Sequence, residues 1–281
     1  MGITIGVDIG GSATKIVGFK DTTLINTLLV KAADPLTSVY GAFGRFVSAN
    51  HLSLSEIDRI VVTGVGSSYI TDPMYSIPTS RVTEFNATGL GGLYLTGLSR
   101  AIVISMGTGT AFIKASGGEF KHMGGTGVGG GMLLGLSGLM LGARNFETVI
   151  QMADSGDLGN IDLNIGQIMQ KNLLNMPPET TAANFGNVSD TAGKNDIALG
   201  IINLIFQSIG MMAIFVSRID GDSDIVLTGN LTVIEKARSL FDILERLHNV
   251  SFHLPEHAQF ATAVGAAIAV TKNIPLEKIT R

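Results

Sequence analysis

A carboxylate, a glycine turn and a lysine follow one another at the start of this chain. An apolar run, residues 3–7, leads into Asp8, and a turn at residues 10–12 separates this carboxylate from Lys15. Glycines permit a tight turn close to a ligand because they have no Cβ, and the N–H groups of such a turn can cradle phosphate oxygens. A carboxylate at a strand end can hold Mg²⁺ through water, since Mg²⁺ keeps much of its hydration shell. The spacing matches neither a Walker A loop nor a dinucleotide fingerprint, and it suits either a different phosphate loop or an ordinary hairpin turn.

A second carboxylate stands at Glu84, where residues 84–92 indicate the start of a helix rich in small residues. A carboxylate in hydrogen-bond reach of an alcohol can take its proton as the alcohol attacks a γ-phosphoryl group. An acidic residue in the first turn of a helix is also explained by the favourable helix dipole. In isolation, the position of Glu84 leaves both interpretations open.

Glycine turns also end three later apolar runs, at Gly107, at residues 124–131 and at Gly229. Ligands of open α/β folds collect beyond the ends of strands. Together with the turn at Gly10, these turns could therefore enclose one nucleotide.

The hydrophobic pattern predicts the elements that position these turns. Residues 101–123 repeat the strand–turn–strand order of residues 3–19, which indicates an internal duplication, and alternating strands and helices indicate an α/β fold. We expect two lobes, residues 1–99 and 100–281, with the small-residue helix 261–270 closing the second lobe. The remaining predicted strands are 22–31, 59–63 and 224–227, and the remaining predicted helices are 36–50, 197–218 and 234–247, with helical pieces across 145–196.

The composition limits the class of protein. The chain has 281 residues, of which 45% are hydrophobic and 15% charged, a balance that supports a sizeable core. A net charge of −4 without a basic cluster argues against a nucleic-acid partner, and the absence of cysteine excludes disulfides and thiolate chemistry. We see no signal-peptide pattern and no uncharged apolar run as long as a membrane span, the most apolar region being residues 197–216. We therefore expect a cytoplasmic protein with no membrane partner.

Taken together, the motifs resemble those of type II pantothenate kinases, within the superfamily of actin, sugar kinases and heat-shock chaperone ATPases. The resemblance spans nearly the whole chain and keeps the motif order. It implies a two-lobed actin-like (ribonuclease H-like) ATPase fold, of class α/β, with duplicated mixed β-sheets and a nucleotide cleft between the lobes. The stretches that carry it are DIGGSATK at 8–15, TEFNA at 83–87, GTGT at 107–110, GGTGVGGGM at 124–132, DSGD at 154–157, TAANFG at 181–186 and VLTGN at 226–230.

The resemblance implies ATP-dependent phosphorylation of pantothenate to 4'-phosphopantothenate, the first step of coenzyme A biosynthesis, with ATP and Mg²⁺ as cofactors. It makes Glu84 the catalytic base and places Mg²⁺ on Asp8 through water. The positions that match ATP contacts are Asp8, Gly10, Gly11, Ser12, Lys15, Thr108, Gly130, Gly131, Met132, Phe146, Gly229 and Asn230. The positions that match acceptor contacts are Glu84, Thr108, His122, Thr181 and Ala182, of which Thr181 and Ala182 reach the acceptor of a partner subunit in a homodimer.

Three positions depart from the family pattern. His122 stands where the family usually has Arg, Ala111 where it has Ser, and Phe146 where it has Tyr. A histidine does not replace a rigid five-donor guanidinium, so the acceptor pocket departs further from the pattern than the phosphate loops do. The departures keep two alternatives open: a kinase for another small alcohol, such as pantetheine or a sugar-like acceptor, and a non-catalytic nucleotide-binding regulator. Retention of Glu84 argues against the regulator, since a pure binding protein needs no base.

Some of these features also suit plain structural roles. A lysine such as Lys15 is commonly a solvated hairpin residue, and Phe146 suits a position in the core. The apolar helix predicted at residues 197–218 suits either a dimer contact or a buried core helix.

Overall fold

The computed structural model describes residues 2–31, 34–169 and 176–280. The strands are β1 (Ile3–Ile9), β2 (Ala13–Lys20), β3 (Thr23–Lys31), β4 (Ile57–Thr63), β5 (Thr79–Arg81), β6 (Arg100–Met106), β7 (Thr110–Ser116), β8 (Glu119–Thr126), β9 (Leu163–Asn164), β10 (Thr181–Ala183), β11 (Asp224–Thr228), β12 (Ser251–His253) and β13 (Glu277–Ile279). The helices are α1 (Pro35–Ala49), α2 (Glu84–Thr96), α3 (Gly130–Leu141), α4 (Phe146–Asp154), α5 (Ile165–Ile168), α6 (Lys194–Asp220), α7 (Ala237–His248) and α8 (Ala261–Ile268). Short 3-10 helices lie at Leu54–Glu56, Val65–Tyr69, Met74–Ser76, Leu158–Asn160, Asn230–Val233 and Ala258–Phe260.

Two mixed sheets repeat one arrangement of strands. The first has the order β13-β5-β4-β1-β2-β3, and the second has the order β12-β11-β6-β7-β8. In the first sheet β1 runs antiparallel to β2 and parallel to β4, and in the second sheet β6 runs antiparallel to β7 and parallel to β11. The predicted α/β class, the hairpin at the N-terminus and the internal duplication are therefore confirmed.

Helices α2 and α8 join the two sheets through a close contact between their backbones. A Cβ on Gly91 would lie 1.8 Å from the carbonyl oxygen of Ala261, and a Cβ on Gly265 would lie 1.8 Å from that of Ala87. Only glycine permits such an approach. On the other side, α8 packs against β1, where a Cβ on Gly6 would meet the α8 backbone at 2.2 Å, while α2 also packs against the second sheet.

The C-terminal segment returns to the first sheet. Helix α8 was expected to close the second lobe, but it lies against β1, β2 and β4, and β13 pairs with β5 at the edge of the same sheet. Small apolar residues suit any close helix contact, so the composition of α8 could not identify its partner. The division into lobes at residues 99 and 100 stays a prediction.

Helix α6 forms much of the core beneath the second sheet. Ile201, Ile205, Ile209 and Ala213 on this helix have no exposed surface. Among the described residues, α6 alone is long and apolar enough to cross a membrane by length and composition, yet 56% of its most apolar window is buried inside the protein. That burial is typical of a core helix, which is one of the two roles predicted for this segment.

The stretch 145–196 contains more than the predicted helical pieces. It includes α4 and α5, but β9 and β10 also pair there as a small antiparallel sheet. Buried Asp162 precedes this sheet, and one of its carboxylate oxygens accepts the N–H of Phe185 at 2.8 Å. Residues 170–175 of the stretch lie outside the described residues.

Candidate functional site

Asp8 and Lys15 form a buried ion pair in the first sheet, next to the turn that joins β1 to β2. They are cross-strand partners in register, the Lys15 Nζ lies 3.6 Å from Oδ2 of Asp8, and each residue is only 7% exposed. Both side chains point to the face covered by α2 and α8, since Val17, in the same row of β2, packs there. Burial raises the pKa of the Asp8 carboxyl, and the charge and hydrogen bond of Lys15 oppose this rise.

Glu84 begins α2 and faces this pair. The side chain of Thr83 caps the helix by accepting the N–H of Asn86. Burial raises the pKa of Glu84, the charge of Asp8 raises it further, and the charge of Lys15 opposes the rise. A helix-terminal acid stabilised by the dipole alone would have a lowered pKa, so the dipole does not dominate the environment of Glu84.

The glycine turns of the second lobe pack backbone against backbone. At the start of α3 the N–H of Gly130 donates to the carbonyl of Gly107, and the N–H of Gly131 donates to that of Thr108, both at 2.9 Å. Gly229 has φ +95°, and a Cβ there would lie 2.5 Å from the Met106 carbonyl oxygen. The turns after β6 and β11 and the start of α3 therefore meet, as the sequence predicted.

A cavity of about 460 Å³ opens beside these turns and reaches β2 and β3 of the first sheet. Asn230 contributes a buried Oδ1 that has no hydrogen-bond partner among the described residues, and so offers an acceptor to a ligand N–H or O–H. Six predicted nucleotide positions line the cavity: Ser12, Thr108, Gly130, Gly131, Phe146 and Asn230. The other six are not among its lining residues: Asp8, Gly10, Gly11, Lys15, Met132 and Gly229.

An ion pair at this cavity joins β3 of the first sheet to helix α4 and was not found from the sequence. Lys31 at the end of β3 lies 3.3 Å from the Glu147 carboxylate in the first turn of α4. A hydrogen bond from its own backbone and the nearby Lys31 lower the pKa of Glu147. Both residues line the cavity, as does Arg144. Lys31 and Glu147 are far apart in the chain, so no local sequence pattern could indicate that they form a pair.

His122 stacks face to face on Phe85, the residue after Glu84. Their ring centroids are 4.1 Å apart and the rings are inclined by 6°. A Cβ on Gly125 would lie 3.7 Å from the His122 Nε2 and 4.0 Å from the Ala111 Cα. Gly125 therefore lies close to both departures from the family pattern in the predicted acceptor pocket, and the Phe85 stack places His122 next to the residue that follows the candidate base.

Thr181 and Ala182 lie on β10, away from this cluster. The hydroxyl of Thr181 donates to the buried carboxylate of Asp162 at 3.2 Å and accepts a hydrogen bond from Asn203 at 3.1 Å. Thr181 lines a separate cavity of about 470 Å³ between α6 and α7, which shares no described lining residue with the nucleotide cavity. Within one chain, the structure does not bring these two residues to Glu84.

Thr63 and Gly64 adjoin Asp8, and they were not selected as candidate site residues from the sequence. Thr63 ends β4 in register with Asp8, and Gly64 has φ +85°. A Cβ on Gly64 would lie 2.6 Å from Oδ1 of Asp8 and 2.6 Å from the carbonyl oxygen of Ile9. The signal was present, because β4 ends in a glycine turn just as β1, β6 and β11 do.

The donor set suits a metal ion that arrives with phosphate. No group of three or more His, Cys, Asp or Glu side chains that could hold a metal occurs in the part of the chain that the structure describes. Mg²⁺ is commonly held by one or two carboxylates together with substrate phosphates and water. The single carboxylate of Asp8 beside a glycine turn fits that mode.

Comparison with known proteins supplies the family. The family model Fumble matches residues 98–269. The type II pantothenate kinase of Staphylococcus aureus (strain USA300) is 28% identical over 277 residues, covering 93% of this chain and 97% of that protein. The same enzyme from the bovine strain RF122 / ET3-1 gives the same identity and coverage.

Solved structures agree on the fold. The activator of the 2-hydroxyisocaproyl-CoA dehydratase from Clostridium difficile with bound ADPNP superposes with a TM-score of 0.69 at 17% identity, covering 97% of this chain and 95% of that one. The ROK hexokinase from Thermus thermophilus gives a TM-score of 0.58 at 12% identity, covering 97% and 100%. The fold is that of the actin-like ATPases. The family model covers more than half of the chain. The chain therefore belongs to the Fumble family of type II pantothenate kinases, and so to the ATP-dependent kinases.

Proposed function

We propose that this protein transfers the γ-phosphoryl group of ATP to the 4'-hydroxyl of pantothenate, the first step of coenzyme A biosynthesis. The observation that carries the proposal is the position of Glu84, which begins α2 over the face of the first sheet that holds the buried Asp8–Lys15 pair. Family membership supports the same reaction.

The cavity between the lobes suits the nucleoside part of ATP. Leu134 and Phe146 give it apolar walls, while the free Oδ1 of Asn230 offers a hydrogen-bond acceptor. Ser12 lies at its edge, on the turn that also carries Gly10 and Gly11, so a bound triphosphate would extend toward Lys15. When bound through water to Asp8, Mg²⁺ would neutralise charge on the phosphates.

Glu84 acts on the acceptor. As the acceptor oxygen forms its bond to the γ-phosphorus, the bond to the β,γ-bridging oxygen breaks and ADP leaves. The carboxylate of Glu84 takes the hydroxyl proton in the same step. Lys15 stabilises negative charge on the phosphate oxygens, and burial keeps the Lys15 ammonium and the Asp8 carboxylate away from bulk water.

The acceptor site is completed by a second copy of the chain in this proposal. Thr181 and Ala182 would come from the partner subunit, which explains why they lie apart from Glu84 within one chain. Phe215 and Ile219 leave one face of α6 apolar and exposed, by 52% and 78%, which supports a homodimer. Sedimentation at micromolar concentration tests it, and a fully active monomer would exclude the shared site. A cytoplasmic location belongs to the same proposal.

A second candidate is a kinase for a neutral alcohol such as pantetheine. The observation that favours it is the stacked His122 beside Ala111, which lacks the rigid cationic fork suited to a carboxylate. The retained Glu84 disfavours a non-catalytic regulator.

A substrate panel separates these functions. Purified protein is given ATP, Mg²⁺ and, in turn, pantothenate, pantetheine and a sugar, with ADP formation and the phosphorylated product both measured. We expect pantothenate to be phosphorylated. Exclusive use of pantetheine would select the second candidate, and turnover of no acceptor despite ATP binding would select the regulator.

A further inference from the structure

Thr63 places a buried hydroxyl on the strand next to Asp8. The two residues are partners in the parallel register of β4 and β1, so their side chains lie on the same face of the sheet. Val61, two residues earlier on β4, packs against α8 and confirms which face this is. Thr63 is fully buried, and its Oγ1 has no hydrogen-bond partner among the described residues.

The Asp8 carboxylate reaches toward both neighbouring strands. Its Oδ2 lies 3.6 Å from the Lys15 Nζ on β2, whereas its Oδ1 lies beside Gly64, which directly follows Thr63 on β4. The absence of a side chain on Gly64 gives Oδ1 room on that side. One carboxylate oxygen therefore already points toward the strand that carries the unpaired hydroxyl.

Phosphate binding would remove the present partner of Asp8. In the proposed reaction Lys15 turns to the nucleotide phosphates, which weakens its pair with Asp8. A buried carboxylate left without a donor is strongly destabilised. A neutral hydroxyl on the neighbouring strand β4 can donate a hydrogen bond to the carboxylate in place of the weakened ion pair, without competing for the phosphates.

We propose that Thr63 is a positioning residue, whose hydroxyl donates a hydrogen bond to Asp8 when Lys15 engages the nucleotide. This rests on the proposed phosphoryl transfer. The hydrogen bond holds the carboxylate in the orientation in which it accepts hydrogen bonds from metal-bound water. An unpaired buried hydroxyl is otherwise a cost, and valine would fill the same space without it.

Thr14 supplies a matched control. It is also fully buried with an unpartnered Oγ1, and it lies on β2 opposite Ile9. Its row of β2 includes Ile16, which packs with the core on the side of α1, so Thr14 points away from Asp8. Thr14→Val and Thr63→Val therefore remove the same group from opposite faces of one sheet.

The test measures nucleotide binding by calorimetry with a non-hydrolysable ATP analogue, with and without Mg²⁺, and turnover with the accepted acceptor. For Thr63→Val we expect Mg²⁺-dependent affinity to fall by about tenfold or more, the scale of a lost hydrogen bond to a charged group, with metal-free affinity unchanged. We expect kcat to fall with little change in the KM for the acceptor. Thr63→Ser should restore both, and Thr14→Val should match the wild type. If Thr63→Val does not fold, Thr63→Ala carries the same expectation.

Three results would overturn the proposal: unchanged Mg²⁺-dependent affinity in folded Thr63→Val, failure of Thr63→Ser to rescue, or an equal loss in Thr14→Val. Failure of the proposed function can be distinguished from failure of this inference. If the wild type phosphorylates no acceptor, the proposed function is wrong, but calorimetry still compares the Mg²⁺-dependent nucleotide affinity of the wild type with that of Thr63→Val.

Discussion

The phosphoryl end and the acceptor end of the candidate site differ in burial and in charge. Asp8 and Lys15 are each 7% exposed and depend on each other, so changing one leaves a buried charge without its partner. At the other end Phe85 is 37% exposed, and its stack with His122 lies at the surface. A surface pair can change at little cost to folding. In the proposed site, the acceptor end can therefore change at less cost to folding than the phosphoryl end, and His122 and Ala111 depart from the family pattern at that end.

The largest effect is expected at Glu84, which lies between the two ends and is the proposed base. We expect Glu84→Gln to reduce turnover by roughly 10²-fold or more, the scale of a lost general base, because the amide cannot accept the acceptor proton. ATP binding should stay nearly intact. Single-turnover phosphorylation and analogue calorimetry measure the two quantities, with Glu119→Gln, an exposed acidic residue on β8, as the control.

The pH dependence checks the same residue. The pKa of Glu84 is raised, and a base acts only when it is ionised. Wild-type kcat should be full above this raised pKa and fall as the pH drops through it, at a higher pH than for an ordinary glutamate. Glu84→Gln should lack this acidic limb. A near-normal single-turnover rate in the variant would exclude Glu84 as the base.

The second prediction sharpens the acceptor end. His122→Arg combined with Ala111→Ser should improve the use of pantothenate, because the pair restores a cationic fork and a hydroxyl next to each other. Each charge-assisted hydrogen bond is worth about 1.5–3 kcal/mol, so the KM should fall by roughly one to two orders of magnitude. Steady-state kinetics with pantothenate and pantetheine measure it. If the wild type already uses pantothenate well and the double variant does not improve, the departures are harmless.

Local patterns predicted the strand ends well, because an apolar run that stops at a glycine is typical of a strand leading into a tight turn. Asp8, Gly107 and Gly229 were found in this way, whereas the equivalent signal at Gly64 was not used. Contacts between distant segments left no local pattern. Three contacts depend on tertiary packing in this way: the stack of Phe85 on His122, the Lys31–Glu147 ion pair and the packing of α8 against the first sheet. Strands β9 and β10 are too short for a periodicity to predict.

The third prediction tests whether the turn after β1 belongs to the phosphoryl end. A Cβ on Gly11 would meet no described atom within 4 Å, and Gly11 does not have a positive φ, so Gly11→Val should fold. Its branched side chain would project into the space that a phosphate needs, and we expect analogue affinity to fall by about tenfold or more. Gly41→Val in α1, also open, is the control. Unchanged affinity would mean that the phosphates bind elsewhere.

The smallest effect is expected where an ion pair is exposed rather than buried. Lys31 and Glu147 have side chains that are 75% and 58% exposed, unlike the buried pair of Asp8 and Lys15. Exposed pairs contribute little, so Glu147→Gln should change analogue affinity by less than about fivefold and leave the melting temperature unchanged. Salt screens exposed charges, so concentrated salt should remove the small contribution of this pair to the analogue affinity of the wild type. Glu147→Gln lacks that contribution and should not lose it again in salt. A loss above about tenfold would mean that this pair holds the two lobes closed over the nucleotide, and that charge at the cavity is as constrained as charge at the phosphoryl end.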